Sequence, residues 1–410
     1  MGGRSAGLAE ERPVDIGQRL AELESAGLRR RIRVIDGPQG GRVVLDGAPV
    51  LLLCSNNYLG LADHPRLRRA AADAAMALGT GSGASRLISG SMSMHSELEA
   101  KLAEYKGTEA ALLFGSGYLS NTGTIAALAG RDEVVFSDEL NHASIIDGCR
   151  LSRAKAFVYR HRDTEHLEWG LRRAAGRGSL IVTDGVFSMD GDLAPLSELA
   201  TLAQRHRCRL LVDEAHATGC IGPGGRGSVA AAGLGEEVDV IVGTLGKALG
   251  GYGAYVCASR ELTEFLINAA RPFIFSTALP PAVVAAASAA VDLLTEQPEM
   301  VDRLKANAAA LREGLLDHGL EVTDSETQII PLVIGEAEAT MALTERLLER
   351  GVFAQAIRPP TVPAGTCRLR LTAMATHRIG ELRSAAALIG RTARELGLSS
   401  SDHDELRRAA

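Results

Sequence analysis

No two of the six cysteines (Cys54, Cys149, Cys208, Cys220, Cys257 and Cys367) form a Cys-x-x-Cys pair. That argues against a zinc centre and a disulfide framework, and reads as reduced thiols in a cytoplasmic protein with no metal. Clustered bases are equally scarce. Apart from Arg29-Arg30-Arg31 and Arg33 they are scattered, and the formal net charge is −6, so no nucleic-acid partner is expected. Residues 1–15 are charged and lack the apolar run of a signal peptide. The longest apolar stretch, Pro280 to Leu294, is Ala-rich and falls short of the roughly 20 residues that span a bilayer. It reads as a buried helix, and no membrane partner is expected. No internal repeat or low-complexity tract is present either.

What is present is a chain of 410 residues, 46% hydrophobic, enough for a large domain and a smaller one. A helix is expected from Ile16 to Arg31, with Leu20, Leu23 and Leu28 on one side. Its basic end is either a solvated face or an anion clamp, and spacing alone favours the solvated face. Val43–Leu45 and Val50–Leu53, joined through Asp46-Gly47, read as a hairpin. After the polar loop Ser55-Asn56-Asn57-Tyr58-Leu59-Gly60 and a helix from Pro65 to Leu78, strands and helices alternate. Strands are expected at Ala110–Phe114, Val134–Ser137, Ala156–Tyr159, Leu180–Thr183 and Ala254–Ala258, with helices at Glu97–Tyr105, Thr164–Ala175, Leu196–His206 and Glu261–Ala270. This alternation implies an α/β fold with a mainly parallel sheet covered on both faces.

Beyond Pro280-Pro281 the character changes. Helices near 282–294, 299–318, 337–350 and up to 396, with strands near 329–334, 352–354 and 368–372, suggest a small C-terminal α+β domain. The expected organisation is an N-terminal helix and hairpin segment (1–54), a large domain (55–281), a small domain (282–396) and a frayed tail (397–410), with residues 1–12 also frayed.

The stretch from Leu210 to Gly253 organises the rest. Two apolar runs, Leu210-Leu211-Val212 and Val240-Ile241-Val242, each end in polar groups: Asp213-Glu214-Ala215-His216 after the first, Gly243-Thr244-Leu245-Gly246-Lys247 after the second. Open α/β sheets bind ligands at that edge of the strands. A carboxylate, an imidazole and an amine gathered there suit pyridoxal phosphate (PLP), whose usual partners are an acid at the pyridinium and a lysine Schiff base. The glycines Gly243, Gly246, Gly250 and Gly251 would give such a cofactor room. A Walker A loop does not fit, because Ala248 follows Lys247.

Other motifs leave more than one reading. Gly79-Thr80-Gly81-Ser82-Gly83 follows a helix and lacks the third glycine of a dinucleotide loop, so a close approach to a ligand or a neighbouring subunit is the better reading. Gly115-Ser116-Gly117-Tyr118 is either a phosphate cradle at a helix N-terminus or a tight structural turn. His142 by itself reads as a capping or core histidine. Asp184 to Asp192 carries three acids, yet Val186, Phe187 and Met189 stand where a cation loop needs oxygen donors.

Seven pieces of the chain, SNNYLGL (55–61), GSGASRLISG (81–90), FGSGYLSN (114–121), NHAS (141–144), TDGVFSMDGD (183–192), VDEAHATG (212–219) and TLGKALGG (244–251), resemble the α-oxoamine synthases in family order. These are PLP enzymes of the aspartate-aminotransferase fold (fold type I) that join an amino acid to an acyl-CoA with loss of CO2. Within that family AIRPPTVPAGTCRLRLT (356–372) resembles members that use L-alanine and a pimeloyl group carried on CoA or a carrier protein.

The resemblance implies that Lys247 forms the Schiff base and later moves the Cα proton. It implies that Asp213 pairs with the pyridinium, that His216 and Ser188 reach the phenolic oxygen, and that His142 stacks on the ring. Phosphate would be held by the N–H groups of Gly117 and Tyr118 and by the Thr244 hydroxyl. Ser276 and Thr277 resemble a contribution from the partner subunit, implying a homodimer with shared active sites. Asn56, Arg29 and Arg358 would grip substrate carboxylates, which reverses the solvated-face reading of Arg29. Two positions depart from the family: Asn57, where Asp is common, and Ala217, where Gly or Ser is common.

Overall fold

The computed structural model describes residues 15–174, 176–323 and 325–398. Of the stretches expected to fray, residues 1–12 and 399–410 lie outside them, while 397 and 398 lie within.

A seven-stranded sheet forms the centre, in the order Ala110–Phe114, Ala254–Ala258, Val240–Thr244, Arg209–Asp213, Gly178–Asp184, Val134–Asp138, Lys155–Tyr159. Every neighbouring pair is parallel except those made by Ala254–Ala258, which runs antiparallel to both its neighbours. Successive side chains of a strand point to opposite faces. Phe136, Ile181, Leu210, Val212, Ile241 and Tyr255 therefore enter one core, and Val135, Val182, Leu211, Val242 and Val256 the other. Two buried faces are why these strands read as unbroken apolar runs. The parallel strands all deliver their last residues to one edge, where Asp138, Asp184, Asp213 and Thr244 stand. There the register sets Asp184 level with Asp213.

The hairpin consists of Arg42–Leu45 and Ala48–Leu52, with Leu45 opposite Ala48. Asp46 and Gly47 both adopt left-handed backbone (φ 49° and 83°), the requirement of a two-residue turn that matches strand twist. Val352–Phe353 then adds to Ala48–Leu52 in parallel, so this small sheet draws on both ends of the chain. A third sheet, Ile329–Gly335, Cys367–Thr372 and Ala356–Ile357, is antiparallel. Its core is shared with the helices Glu299–Asp317, Ala337–Glu349 and Ile379–Glu395.

Three expectations need correcting. The first helix stops at Ser25 rather than Arg31. Gly27 turns left-handed (φ 64°) and the Leu28 N–H closes back onto the Leu23 carbonyl at 2.8 Å, a helix stop of the Schellman kind. None of that helix is buried, and Leu20 and Leu23 remain exposed. The helix expected from Glu97 to Tyr105 spans Ser93–Lys106, ending on left-handed Gly107. Strand Ala356–Ile357, too short to carry a periodic signal, was not anticipated. The Ala-rich Pro281–Glu296 helix packs against Pro65–Leu78 and Ser93–Lys106 and contributes to the large core.

Candidate active site

Lys247 emerges just beyond the Val240–Thr244 strand, and its Nζ lies 2.8 Å from His216 Nε2. Burial brings the amine down from 10.5 to about 8, with Arg370 pushing the same way and Asp213 and Asp184 opposing. Burial also holds His216 well below 6.5, helped by Lys247, Arg370 and His142, so this imidazole is neutral. Its other nitrogen, Nδ1, lies 2.7 Å from the Tyr58 hydroxyl. That hydroxyl accepts from Arg370 Nη2 at 3.0 Å and stands 3.1 Å from Asn56 Oδ1. A continuous chain thus runs Arg370–Tyr58–His216–Lys247, with every member but Lys247 below a tenth exposed.

Asp213 ends the neighbouring strand. Its carboxylate accepts from Asn121 Nδ2 at 2.6 Å and from the Ala215 N–H at 2.8 Å. Asn121 also donates to Ser144 at 2.9 Å, and Ser144 is 2.7 Å from His142 Nδ1. Asn121 Oδ1 is buried without a partner among the described residues. His142 caps the Ala143–Ser152 helix, so the structural role considered for it is real. It also lies within electrostatic reach of Asp213 and Lys247, and burial lowers its pKa. Capping and cofactor contact are compatible, because the cap uses Nδ1 and leaves the ring faces free.

At the N-terminus of the Gly117–Leu128 helix, Ser116 accepts from the Leu119 N–H. Among the described residues no acceptor meets the N–H of Gly117 or Tyr118, and a Cβ on Gly117 would meet nothing within 4 Å. Open space before two free N–H groups and a helix dipole fits a phosphate. The Thr244 hydroxyl donates to the Gly253 carbonyl at 3.1 Å and accepts from the Gly246 N–H at 3.1 Å. Ser188 is tied through its carbonyl, which accepts from Arg370 Nε. An acid, a depressed amine, a neutral imidazole and an anion cradle together fit PLP.

Of the glycines around Lys247, Gly243 and Gly250 serve packing, whereas a Cβ on Gly246 would meet its nearest atoms at an ordinary 3.6 Å. A Cβ on Gly243 would collide with the Tyr255 ring, and one on left-handed Gly250 would strike the backbone of Leu61 and Ala62. Among the described residues, a Cβ added on Gly79, Gly81 or Gly83 would meet nothing within 4 Å.

The carboxylate-binding candidates fall in two places. Asn56 stands beside Arg370, whose Nη1 donates to its Oδ1 at 3.2 Å. Arg29 and Arg358 instead line a cavity of about 970 Å³ with Arg31, Arg33, Glu24 and Glu336. There Arg29 pairs with Glu24 at 2.9 Å and Arg358 donates to the Gly27 carbonyl. Ser276 and Thr277 line a separate small cavity with Arg86 and His95, and share no hydrogen bond with the Lys247 group among the described residues.

Several residues of this centre escaped sequence reasoning. Arg370 sits in Arg-Leu-Arg on a strand, a pattern that looks like solvent-facing alternation, yet Arg368 and Arg370 are each 6% exposed. Tyr58 and Asn121 lay within quoted motifs but carried no spacing that assigned them a role. Glu214 follows Asp213 and is wholly buried. It binds Lys106 Nζ at 2.5 Å, and also accepts from the Ser228 hydroxyl (3.0 Å) and the Val229 N–H (2.7 Å). At the two departures from the family pattern, Asn57 caps its own loop through the Ala62 N–H (3.1 Å), and Ala217 is fully buried.

The aminotransferase class I and II family model matches residues 48–389. An 8-amino-7-oxononanoate synthase of Geobacter sulfurreducens is 57% identical over 383 residues, covering 92% of this chain and 98% of the relative. One from Geobacter metallireducens is 56% identical over 386 residues, covering 93% and 98%. Among solved structures, a serine palmitoyltransferase from S. paucimobilis with a bound PLP–myriocin aldimine superposes with a TM-score of 0.89 at 34% identity, covering 93% of this chain and 97% of that one. The match spans the sheet edge, the lysine turn and the Cys367–Thr372 strand together, and the chain belongs to the aminotransferase class I and II family, among the 8-amino-7-oxononanoate synthases.

Proposed function

We propose that this chain is a PLP-dependent acyltransferase. It condenses L-alanine with a pimeloyl thioester, on CoA or a carrier protein, to give 8-amino-7-oxononanoate, CO2 and free thiol, a step of biotin biosynthesis. The observation that carries this reading is the buried Lys247 amine, lowered to about 8 and facing neutral His216, with Asp213 on the next strand. The likeness in sequence to the Geobacter enzymes supports the substrate pair.

When bound, PLP supplies an aldehyde that joins an amine and a protonated ring that accepts the electron pair released at Cα. Lys247 would hold the aldehyde end and Asp213 would keep the proton on the ring nitrogen, since a nearby opposite charge favours the ionised partner. His216 and Ser188 would meet its phenolic oxygen, His142 would cover the ring, and Gly117, Tyr118 and Thr244 would hold the phosphate. Arg370 and Asn56 bind the alanine carboxylate and so orient the Cα–H bond toward Lys247. The neutral amine of Lys247 takes that proton and later returns one to Cα. Positioned proton transfer of this kind contributes roughly 10²–10⁴-fold. Arg29 and Arg358, in their separate cavity, suit the far carboxylate of the acyl chain.

Two copies make the working unit. Leu87, Ile88 and Phe275 are exposed at 50%, 80% and 69% beside the Ser276-Thr277 pair, a patch that a second copy would cover while lending those hydroxyls to the opposite site. Among the described residues no helix is long and apolar enough to cross a membrane, and we place the enzyme in the cytoplasm.

The likeness to serine palmitoyltransferase raises a second reading, serine with a long-chain acyl-CoA. Mass spectrometry of products from PLP-loaded protein, given alanine, glycine or serine with a panel of acyl-CoAs, separates the two. The expected product comes from alanine and pimeloyl-CoA; preferential turnover of serine or glycine would overturn the assignment. Lys247→Ala should abolish turnover, and activity equal to wild type would remove the lysine from the mechanism.

A further inference from the structure

Two acids end neighbouring strands at the site, and only Asp213 has been given a task. Asp184 lies level with it across the parallel pairing and is 2% exposed, against 4% for Asp213. Their surroundings differ. Asp213 is met by two donors, one of them the Asn121 amide. Among the described residues Asp184 is met by a single donor, the His142 N–H at 2.7 Å. The backbone around it is locked: the Asp184 N–H donates to Asn141 Oδ1, and Asn141 Nδ2 donates to the Val182 carbonyl and the Ser137 hydroxyl, each at 2.9 Å. The carboxyl of Asp184 thus holds the turn that carries His142, from a strand on the far side of Asn141.

The charged and titratable groups facing Asp184 are Asp213 on the adjacent strand, Lys247 across the site and Asp138 on the strand opposite, with His142 above. Among the described residues no cation hydrogen-bonds to it. Burial first, and then Asp213, raise its pKa well above the carboxylate range, while the His142 N–H and Lys247 oppose. Two buried carboxyls side by side do not both ionise readily.

We propose that Asp184 is a positioning residue acting as an uncharged carboxyl: it pins the His142 turn to the sheet and leaves Asp213 as the single negative charge at the ring nitrogen. The proposal rests on the cofactor reading of Asp213. It explains why an acid with one donor tolerates a place where a second anion would compete with Asp213 for the protonated ring and the lysine.

The test uses the PLP-loaded enzyme and two variants. Asp184→Ala removes the support of His142 and should lower kcat by about 10²-fold, the cost of a displacement near 1 Å, with a smaller change in KM for alanine. Asp184→Asn keeps the shape and the acceptor without a charge. It should restore most of that loss and leave the pH titration of the bound-cofactor absorbance where wild type has it. An Asp184→Asn enzyme as impaired as Asp184→Ala, or with a displaced absorbance titration, would show that the charge is needed and overturn the proposal. Wild-type kcat in Asp184→Ala would overturn the positioning role. If Asp184→Ala does not fold, Asp184→Asn alone decides through its titration. Wild-type protein that bound no PLP covalently would instead sink the cofactor reading, an outcome distinct from all of these.

Discussion

Lys106→Met is the sharpest test of how the site is held from behind. Lys106 and Glu214 are 1% and 0% exposed and meet at 2.5 Å. The ammonium also donates to Thr218 Oγ1 at 2.8 Å and to the Arg226 carbonyl at 2.7 Å. Methionine fills nearly the same volume but leaves Glu214 buried without its cation. Removing one partner of such a pair costs about 3–5 kcal/mol. Urea unfolding of the cofactor-free protein at fixed concentration, followed by circular dichroism, reads this as a lower midpoint at unchanged slope. The companion Lys106→Met/Glu214→Leu removes both charges and should recover more than half of the loss, giving a large coupling in the double-mutant cycle. Because Glu214 lies between Asp213 and His216, PLP affinity should fall with stability in the single variant. A loss below about 1 kcal/mol in Lys106→Met, within the range of an exposed ion pair, would refute the reasoning.

Three further outcomes follow from the same geometry. Arg370→Ala should raise KM for alanine by at least roughly 10²-fold, since each charge-assisted hydrogen bond is worth about 1.5–3 kcal/mol, with little change in KM for the acyl-CoA; steady-state kinetics with each substrate varied would show it. Covalent uptake of PLP by cofactor-free protein needs the neutral amine of Lys247, so its rate should rise with pH and level off above about 8 rather than climb toward 10.5; stopped-flow absorbance follows it directly. His161 bridges Asp138 (3.0 Å) and Asp192 (2.7 Å), and although burial opposes it, these carboxylates raise its pKa to about 9. A raised histidine stabilises most where both states are protonated, so the Tm difference between wild type and His161→Gln should be full below about 6.5 and disappear as pH rises through about 9.

The central sheet was legible in the sequence because its strands are apolar on both faces and its helices punctuate them at regular spacing. Asp213, His216 and Lys247 were legible for a related reason: each follows directly on a buried strand, and a polar group in that place has one edge to go to. Lateral relations were not. Nothing in the order of residues sets Asp184 level with Asp213, because register across a sheet is decided by packing between strands. Arg370 was hidden by its context, as a charged residue alternating with leucine normally faces water, whereas here both arginines of the strand turn inward onto Ser188, Asp190 and Asn56. The end of the first helix was misplaced because the left-handed turn at Gly27 outweighed helix-favouring arginines beyond it.

The parallel pairing of Val352–Phe353 with Ala48–Leu52 has a consequence during synthesis. Roughly 300 residues separate the two partners, which at about 5–20 residues per second amounts to some 15–60 s of translation. Throughout that interval the hairpin's outer backbone has no mate and is available to other nascent chains. A ribosome stalled before codon 352 would therefore release a fragment with an open, adhesive margin, and the segment from Val352 onward doubles as its seal.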